Sequence, residues 1–247
     1  MKTCTVNYGH TLTGGDIGAR GLNGLKEEVL TREVGRELKN ILQAEGIIVR
    51  ESFVDYAATL NDSLNKQVAM CNTPLSDINI CIHFNAFKDA TANGTEIYTY
   101  NGNQLIEANR ILNKLSSLGF KNRGIKNQSL ALINRTIAKT IYIEVCFITN
   151  SHDAAILNKY KPYGIAKTIA EGLLNKTIAT PNLNKYDESI PEGVFKIPNT
   201  TGYIEQATDG RLIIHKDRGN YIAIGQGFID LYWNDNNGKT GKKRLSE

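Results

Sequence analysis

Two stretches of this sequence are almost continuously apolar: NICIHF at residues 79–84 and IYIEVCF at residues 141–147. Runs of this kind are typical of strands that are covered on both faces, as in a parallel sheet between two layers of helices. Each run also contains one ionisable residue, His83 in the first and Glu144 in the second. The two runs therefore predict the centre of an α/β sheet that carries two polar side chains.

Strand and helix signals alternate on both sides of these runs. The predicted strands lie at residues 3–8, 47–50, 77–84, 95–100 and 140–147. The predicted helices lie at residues 26–45, 60–71, 104–118 and 162–175. Helices interleaved with strands indicate βαβ units, so the predicted fold class is α/β, with a mostly parallel or mixed sheet flanked by helices.

The sequence changes character after residue 178. Residues 179–192 carry proline, asparagine and acidic residues, which predicts a linker. Residues 193–247 contain short β-like runs broken by glycine at a spacing of about 8–12 residues, which predicts a small all-β C-terminal module. We therefore expect two domains, with the α/β sheet in residues 1–178.

Composition narrows the class of protein further. The chain has 247 residues, of which 41% are hydrophobic, and this is enough to bury a core. A net charge of +4 without a dense basic stripe argues against nucleic acid as a partner.

No run approaches 18 apolar residues, so no membrane insertion is expected. The N-terminus lacks a signal-peptide pattern, which predicts synthesis in the cytoplasm. The four cysteines form no CxxC pair and are expected to be reduced core residues.

Glu27 opens the first long helix in an unusual position. At 100° per residue it points within about 20° of Val34, on the apolar stripe that should face the core. The stripe consists of Leu30, Val34, Leu38 and Ile41. A first-turn glutamate favoured by the helix dipole is one interpretation, but a buried carboxylate also needs a partner. The neighbouring Glu28 falls about 120° away and is expected to reach water.

Glu144 is more unusual, because the other six residues of its run are apolar or cysteine. It is either a strand-end residue that reaches solvent or a salt bridge, or a general acid/base whose pKa is tuned by its surroundings. An unpaired carboxylate in a central strand would cost several kcal/mol or stay protonated.

Two histidines lie near the ends of different predicted strands. His10 follows the first strand, just before a glycine-rich turn, and His83 lies in the central run 79–84. A lone histidine on an apolar strand is commonly a hydrogen-bonded core residue. In open α/β sheets, however, ligand sites gather at the strand ends, where His10, His83 and Glu144 would converge. Two histidines and one glutamate form a three-ligand catalytic zinc set, and a remaining carboxylate can then act as base.

Four segments in this order resemble the zinc-dependent N-acetylmuramoyl-L-alanine amidases of the type-3 family. They are GH (9–10), KEEVLTREVGRELKNILQAEGIIV (26–49), IHFNA (82–86) and YIEVCFITN (142–150). The resemblance covers roughly residues 3–175 and implies a mixed sheet flanked by helices. It also implies that His10, Glu27 and His83 bind Zn²⁺ and that Glu144 is the catalytic acid/base.

The chain departs from the family pattern at three places near the expected site. Asn7-Tyr8-Gly9-His10 stands where the family usually has Asp-Pro-Gly-His. Cys81 replaces a common serine, and Cys146 stands where glycine is common. These changes affect packing more than the identity of the expected ligands.

The resemblance implies a peptidoglycan hydrolase that cleaves the amide between N-acetylmuramic acid and L-alanine, with peptidoglycan and other cell-wall polymer as partners. Together with the N-terminus and the β-like module, it suggests a phage endolysin of a Gram-positive host. Such an enzyme is made in the host cytoplasm and acts on the wall in host cell lysis. The alternatives are a zinc exopeptidase and a catalytically inactive wall-binding protein. Three further residues are interpreted as structural or exposed: His152 at a helix start, His215 in the module, and Arg123 on the surface.

Overall fold

The computed structural model describes residues 1–179 and, after them, the backbone of six strand segments. The chain divides into two compact units, Met1–Ile178 and Ala179–Glu247. Of the predicted linker, 179–192, all but the first residue lies outside the described residues.

The first unit is built on a six-stranded mixed sheet, as the sequence predicts. Its strands are β1 (Thr3–Tyr8), β3 (Ile48–Ser52), β5 (Ile78–Asn85), β6 (Thr95–Tyr98), β7 (Asn122–Lys126) and β8 (Thr140–Phe147). Two short strands, β2 (Thr13–Gly14) and β4 (Tyr56–Ala57), pair with each other in a separate sheet. The order is β3-β1-β5-β8-β6-β7. The strands β3, β1, β5 and β8 are parallel, whereas β6 pairs antiparallel with β8.

Helices cover both faces of this sheet. They are α1 (Glu27–Ala44), α2 (Leu60–Asn72), α3 (Ile106–Ser117), α4 (Ala131–Asn134) and α5 (Ser151–Leu174). The helices α1, α3 and α5 share the larger core with Ile82 and Ile143. The helices α2 and α4 pack with Cys81 and Tyr142, which alternate with those isoleucines and so point to the other face. His83 and Glu144, two residues further along, lie on this second face.

The last helix and one strand of the six-stranded sheet differ from the sequence prediction, and the short elements α4, β2 and β4 were not predicted. The last helix begins at Ser151, not at residue 162, because a break at Lys161, with φ of 57°, precedes Pro162 and interrupts the periodic pattern. Pro162 lacks a backbone N–H and disfavours helical geometry in the residue before it, so the sequence signal restarts there. The strand β7 was not predicted, because its sequence NRGIK has one apolar residue and a glycine.

All four cysteines are buried and free, which confirms their interpretation as reduced core residues. Among the described residues, no helix is long and apolar enough to cross a membrane.

The second unit contains six described strands: β9 (Val194–Lys196), β10 (Tyr203–Gln206), β11 (Leu212–Lys216), β12 (Asn220–Gly225), β13 (Phe228–Asn234) and β14 (Thr240–Ser246). Each pairs antiparallel with its neighbour in sequence, in one sheet. The role of this unit in wall binding stays a prediction.

Candidate metal centre

Three side chains converge at the carboxyl edge of the parallel strands. His10 follows β1 in a left-handed conformation, with φ of 66°, and His83 is near the end of β5. Glu27 is the first residue of α1, and a helix that follows a strand in an α/β fold begins at this edge. A Cβ atom at Gly9 would lie 2.2–2.6 Å from three atoms of the His83 ring, so the turn before His10 requires glycine.

The Glu27 carboxylate lies between the two imidazoles. Its Oε1 is 3.0 Å from His83 Nδ1 and 3.1 Å from His10 Nε2, and it also accepts a 3.0 Å hydrogen bond from the Phe84 amide. Its Oε2 accepts a 2.9 Å hydrogen bond from the Ala19 amide. Glu27 is 5% exposed, so the sequence-predicted orientation toward the interior matches its position.

His10, Glu27 and His83 could hold a metal ion. One ligand atom from each lies within 4.8 Å of the others, and no other such cluster occurs among the described residues. Two imidazole nitrogens and one carboxylate oxygen are a donor set that Zn²⁺ accepts in catalytic sites, where a fourth position stays open. The residues therefore fit a zinc ion by their chemistry and their proximity.

The pKa values of the three residues in this cluster are shifted from their ordinary values. Burial lowers the pKa of His10, but hydrogen bonds to Asp16 and Glu27 outweigh it and raise that pKa to about 10. Burial opposes ionisation of Glu27, but its hydrogen bonds to His10 and His83 bring its pKa below the usual range. Burial lowers the pKa of His83, against its hydrogen bond to Glu27. Both shifts favour the charged forms of His10 and Glu27.

A buried chain of hydrogen bonds orients His10. Asp16 Oδ1 lies 2.9 Å from His10 Nδ1, and Ser63 Oγ donates to Asp16 Oδ2 at 2.6 Å. Gln67 Nε2 donates to Ser63 Oγ at 2.7 Å, and Asn7 Nδ2 donates to Gln67 Oε1 at 2.7 Å. A carboxylate on the outer nitrogen of a ligand histidine fixes the ring and its tautomer. The sequence analysis did not identify Asp16, which lies six residues after His10 in a glycine-rich turn.

Arg32 supports the backbone of the same turn and was also not identified. Its side chain is 4% exposed, and its guanidinium donates to the carbonyl oxygens of Glu28, His10 and Val54 at 2.9–3.1 Å. Five donors in one rigid group allow a single arginine to join the turn to α1.

Glu144 lies beside the cluster of His10, Glu27 and His83. It is the register partner of His83 on the neighbouring strand, so both side chains leave the same face of the sheet. Its Oε2 is buried and has no hydrogen-bond partner among the described residues. Burial raises the pKa of Glu144 well above its ordinary value, and the carboxylates of Glu27 and Glu96 add to this effect. An unpartnered buried carboxylate is costly for stability and is characteristic of functional sites.

Glu96 extends this row by one strand, since it is the register partner of Glu144 on β6. It is 2% exposed. Its Oε2 accepts hydrogen bonds from Arg123 Nε at 2.6 Å and Lys126 Nζ at 2.5 Å. Arg123 is thus an ion-pair partner of Glu96 and not the exposed surface residue that the sequence analysis expected.

The expectation for Glu28 is wrong. Glu28 is 3% exposed, and its Oε2 accepts a 2.7 Å hydrogen bond from Arg20 Nη1. The glycine-rich turn folds over the start of α1: a Cβ atom at Gly18 would lie 3.1 Å from the Glu28 amide nitrogen. Helical periodicity predicts only the direction in which Glu28 points around the axis of α1. It cannot predict that a loop covers that side of the helix.

The remaining predicted residues lie away from the cluster. His152 is the second residue of α5, and its side chain is 66% exposed, which confirms its interpretation as a helix-start residue. His215 lies in β11, where the side chains are outside the described part of the structure.

A cleft of about 260 Å³ opens over the two histidines. His10, His83 and Tyr142 line it on the side of the sheet. Apart from Asp16, its other lining residues come from α2 and from residues 129–132, and most are leucine or alanine. The two histidines are therefore accessible from solvent through an apolar cleft.

These features define an α/β protein with a two-histidine, one-glutamate centre at the carboxyl edge of its sheet. The Amidase_3 family model, described as N-acetylmuramoyl-L-alanine amidase, matches residues 5–175. The chain is a member of this family, which its four resembling segments predicted.

Two curated relatives come from Gram-positive bacteria. The chain is 30% identical over 179 residues to the probable cell wall amidase LytH of Staphylococcus saprophyticus, covering 70% of this chain and 57% of the relative. It is 27% identical over 166 residues to the N-acetylmuramoyl-L-alanine amidase LytC of Bacillus subtilis, covering 64% of this chain and 32% of the relative. The chain thus spans less than two thirds of the length of these relatives.

Among solved structures, the chain is similar to the "Catalytic domain of CD27L endolysin targeting Clostridia Difficile". The TM-score is 0.66 at 28% identity, with 72% of this chain and all of that chain covered.

Proposed function

We propose that the protein is a zinc-dependent peptidoglycan hydrolase that cleaves the amide between N-acetylmuramic acid and the L-alanine of the stem peptide. The observation that carries this proposal is the placement of Glu144 beside His83, within a cluster that also contains His10 and Glu27. Membership of the amidase family supports the choice of bond.

The cluster separates two roles. His10, Glu27 and His83 would hold the zinc ion, which when bound lowers the pKa of water and polarises a carbonyl group. Glu144 would accept a proton from the attacking water and deliver it to the nitrogen of L-alanine as the C–N bond breaks. The products are the carboxylate of the muramic acid lactyl group and a free L-alanine amine.

Glu144 must be ionised to act as a base. Burial and the negative charge of Glu27 oppose this. A cation held by Glu27 would offset the charge of that carboxylate and lower the pKa of Glu144.

Digestion of purified peptidoglycan tests the reaction. An amidase releases new free L-alanine amines and no new reducing sugar ends. A zinc exopeptidase would instead release other peptide termini, and an inactive wall-binding protein would release none. Either of these results would contradict the proposed reaction.

Zinc dependence needs a separate test. Chelation should abolish activity, and added Zn²⁺ should restore it. Elemental analysis of the chelated protein must accompany the assay, because activity after verified removal of all metal would rule out a metal-dependent reaction.

We also propose that residues 193–247 bind the cell wall. Because residues 1–178 form a compact unit of their own, the truncated chain should fold and hydrolyse soluble muropeptide. It should bind whole walls more weakly than the full chain in a sedimentation assay. Equal wall binding by the two chains would contradict a binding role for the second unit.

A role in host cell lysis is the third part of the proposal. This role is supported by the structural similarity to an endolysin catalytic domain, all of which is covered by the match. Expression of the chain in a Gram-positive host should cause lysis only when the membrane is breached by an added permeabilising agent. Lysis without such an agent, or none with it, would contradict a phage-endolysin role.

A further inference from the structure

Tyr142 joins the metal centre to the apolar cleft. It lies on β8 two residues before Glu144 and therefore on the same face of the sheet. Its ring stacks on the His83 ring, with centroids 4.3 Å apart and an interplanar angle of 13°. It also lines the cleft that opens over the two histidines. A substrate that reaches the metal centre through this cleft passes along Tyr142.

Tyr142 is only 9% exposed, but its hydroxyl is not among the fully buried polar atoms that lack a partner, and the residue lines the cleft. The hydroxyls of two other tyrosines of the sheet are paired: Tyr98 donates to Glu96 and Tyr8 to Glu51, both at 2.7 Å. A buried tyrosine hydroxyl usually finds a partner. The hydroxyl of Tyr142 makes no such contact with a side chain and is open to the cleft, where a ligand can reach it.

The other polar side chains that line the cleft already have partners. Gln67 accepts a hydrogen bond from Asn7 and donates one to Ser63. The Ser129 hydroxyl accepts one from Asn134. Tyr142 therefore offers the cleft a donor that no protein hydrogen bond occupies, and its ring lies against His83.

The cleft is suited to a peptide. Leu60, Leu64, Leu130 and Leu132 form its walls, and its ionisable groups all belong to the metal centre: His10, Asp16 and His83. Small alkyl side chains lose little in such surroundings, and a peptide carbonyl needs one donor. A sugar ring would leave several hydroxyls without partners, at a cost for each.

We propose that this cleft binds the peptide side of the scissile amide and that the Tyr142 hydroxyl donates a hydrogen bond to a peptide carbonyl of the substrate. This inference rests on the proposed function. It adds that the peptide half of the substrate lies between α2 and α4. The sugar half then lies on the opposite side of the metal centre.

Binding to zinc-loaded protein carrying Glu144→Gln tests the inference without turnover. Two ligands are compared by calorimetry: an N-acetylmuramoyl peptide and the same peptide carrying only a lactyl group. The substitution Tyr142→Phe, introduced into the Glu144→Gln protein, deletes the hydroxyl but keeps an aromatic ring stacked on His83. It should weaken binding of both ligands by about three- to tenfold, the range for one hydrogen bond. Tyr8→Phe makes the same deletion on the other face of the sheet and should leave both affinities unchanged.

Three results would overturn the inference. These are unchanged binding of both ligands after Tyr142→Phe, an effect confined to the ligand with the sugar, and an equal effect from Tyr8→Phe. Zinc content and melting temperature are measured on each variant, so that a loss of metal is not read as a loss of the hydroxyl. Failure of the proposed function has a different signature: wild-type protein then leaves the muramoyl–L-alanine amide intact, whatever the binding data.

Discussion

Glu144 and His83 are register partners on adjacent parallel strands at the centre of the sheet. Their separation is therefore fixed by the backbone hydrogen bonds between β5 and β8 and not by a loop. The two apolar runs of the sequence bury these strands on both faces, and they also carry the two polar residues to the same place. The proposed base on one strand and the proposed metal ligand on the next would form a rigid arrangement for a hydrolytic site.

The substitution Glu144→Gln separates catalysis from metal binding. Glutamine keeps the size of the side chain but cannot accept the proton of water, and general-base catalysis contributes about 10²–10⁴-fold. We expect the rate on muropeptide to fall by that factor with zinc per chain unchanged.

Glu33→Gln, on the exposed side of α1, is the matched control and should keep full activity. If Glu144→Gln loses zinc together with activity, then Glu144 is a ligand and not the base.

Glu27 and Glu28 are adjacent and both buried, but they make different contacts. Glu27 lies 3.0–3.1 Å from a nitrogen of each histidine, whereas Glu28 pairs with Arg20. Glu27→Gln should reduce bound zinc per chain to near zero, because two histidines without an anionic ligand hold the ion weakly.

Glu28→Gln should retain zinc and activity. It should lower the free energy of unfolding by about 1 kcal/mol, since it replaces a charged hydrogen bond whose other partner is half exposed. Zinc loss from Glu28→Gln and retention by Glu27→Gln would show that the ligand has been misassigned.

Much of this site could be predicted from the sequence, because its parts lie on regular elements. A carboxylate on the apolar stripe of α1 and polar residues within buried strands break local patterns, and such breaks identify Glu27, His83 and Glu144. The contacts of Asp16 and Glu96 left no such signal. Apart from Tyr98, two residues after Glu96, their side-chain partners are 6 to 47 residues away along the chain, and only the fold brings them together.

Glu96 should make stability depend on pH at the acid end. Burial opposes its ionisation, but hydrogen bonds from Lys126, Arg123 and Tyr98 outweigh this and lower its pKa. A carboxyl group with a lowered pKa stabilises the fold above its unfolded pKa of about 4.3, and this contribution is lost as the pH falls through the folded value.

Glu96→Gln should therefore lower the free energy of unfolding by about 1–2 kcal/mol at pH 7, a figure reduced because both cations are partly exposed. The difference from wild type should shrink as the pH falls from 5 to 3, as measured by urea unfolding. Glu107→Gln, which breaks a more exposed pair with Lys139, should cost about 0.5 kcal/mol or less. A Glu96→Gln difference that stays constant over this pH range would contradict the assignment.

Asp16→Asn tests whether the hydrogen-bond chain behind His10 supports metal binding. Asparagine has nearly the same shape, but it brings no negative charge to His10 Nδ1, and its amide nitrogen cannot accept the hydrogen bond that Ser63 gives to Asp16 Oδ2. Loss of such a carboxylate behind a ligand histidine weakens metal binding by about 10- to 100-fold. We expect a zinc dissociation constant higher by that factor, measured by competition with a chromophoric chelator.

Asp62→Asn removes a carboxylate from an exposed i,i+4 pair with Lys66 on α2 and should leave zinc affinity unchanged. If Asp16→Asn folds normally and binds zinc as tightly as wild type, Asp16 has no role in holding the metal ligand, and its buried contacts serve the fold alone.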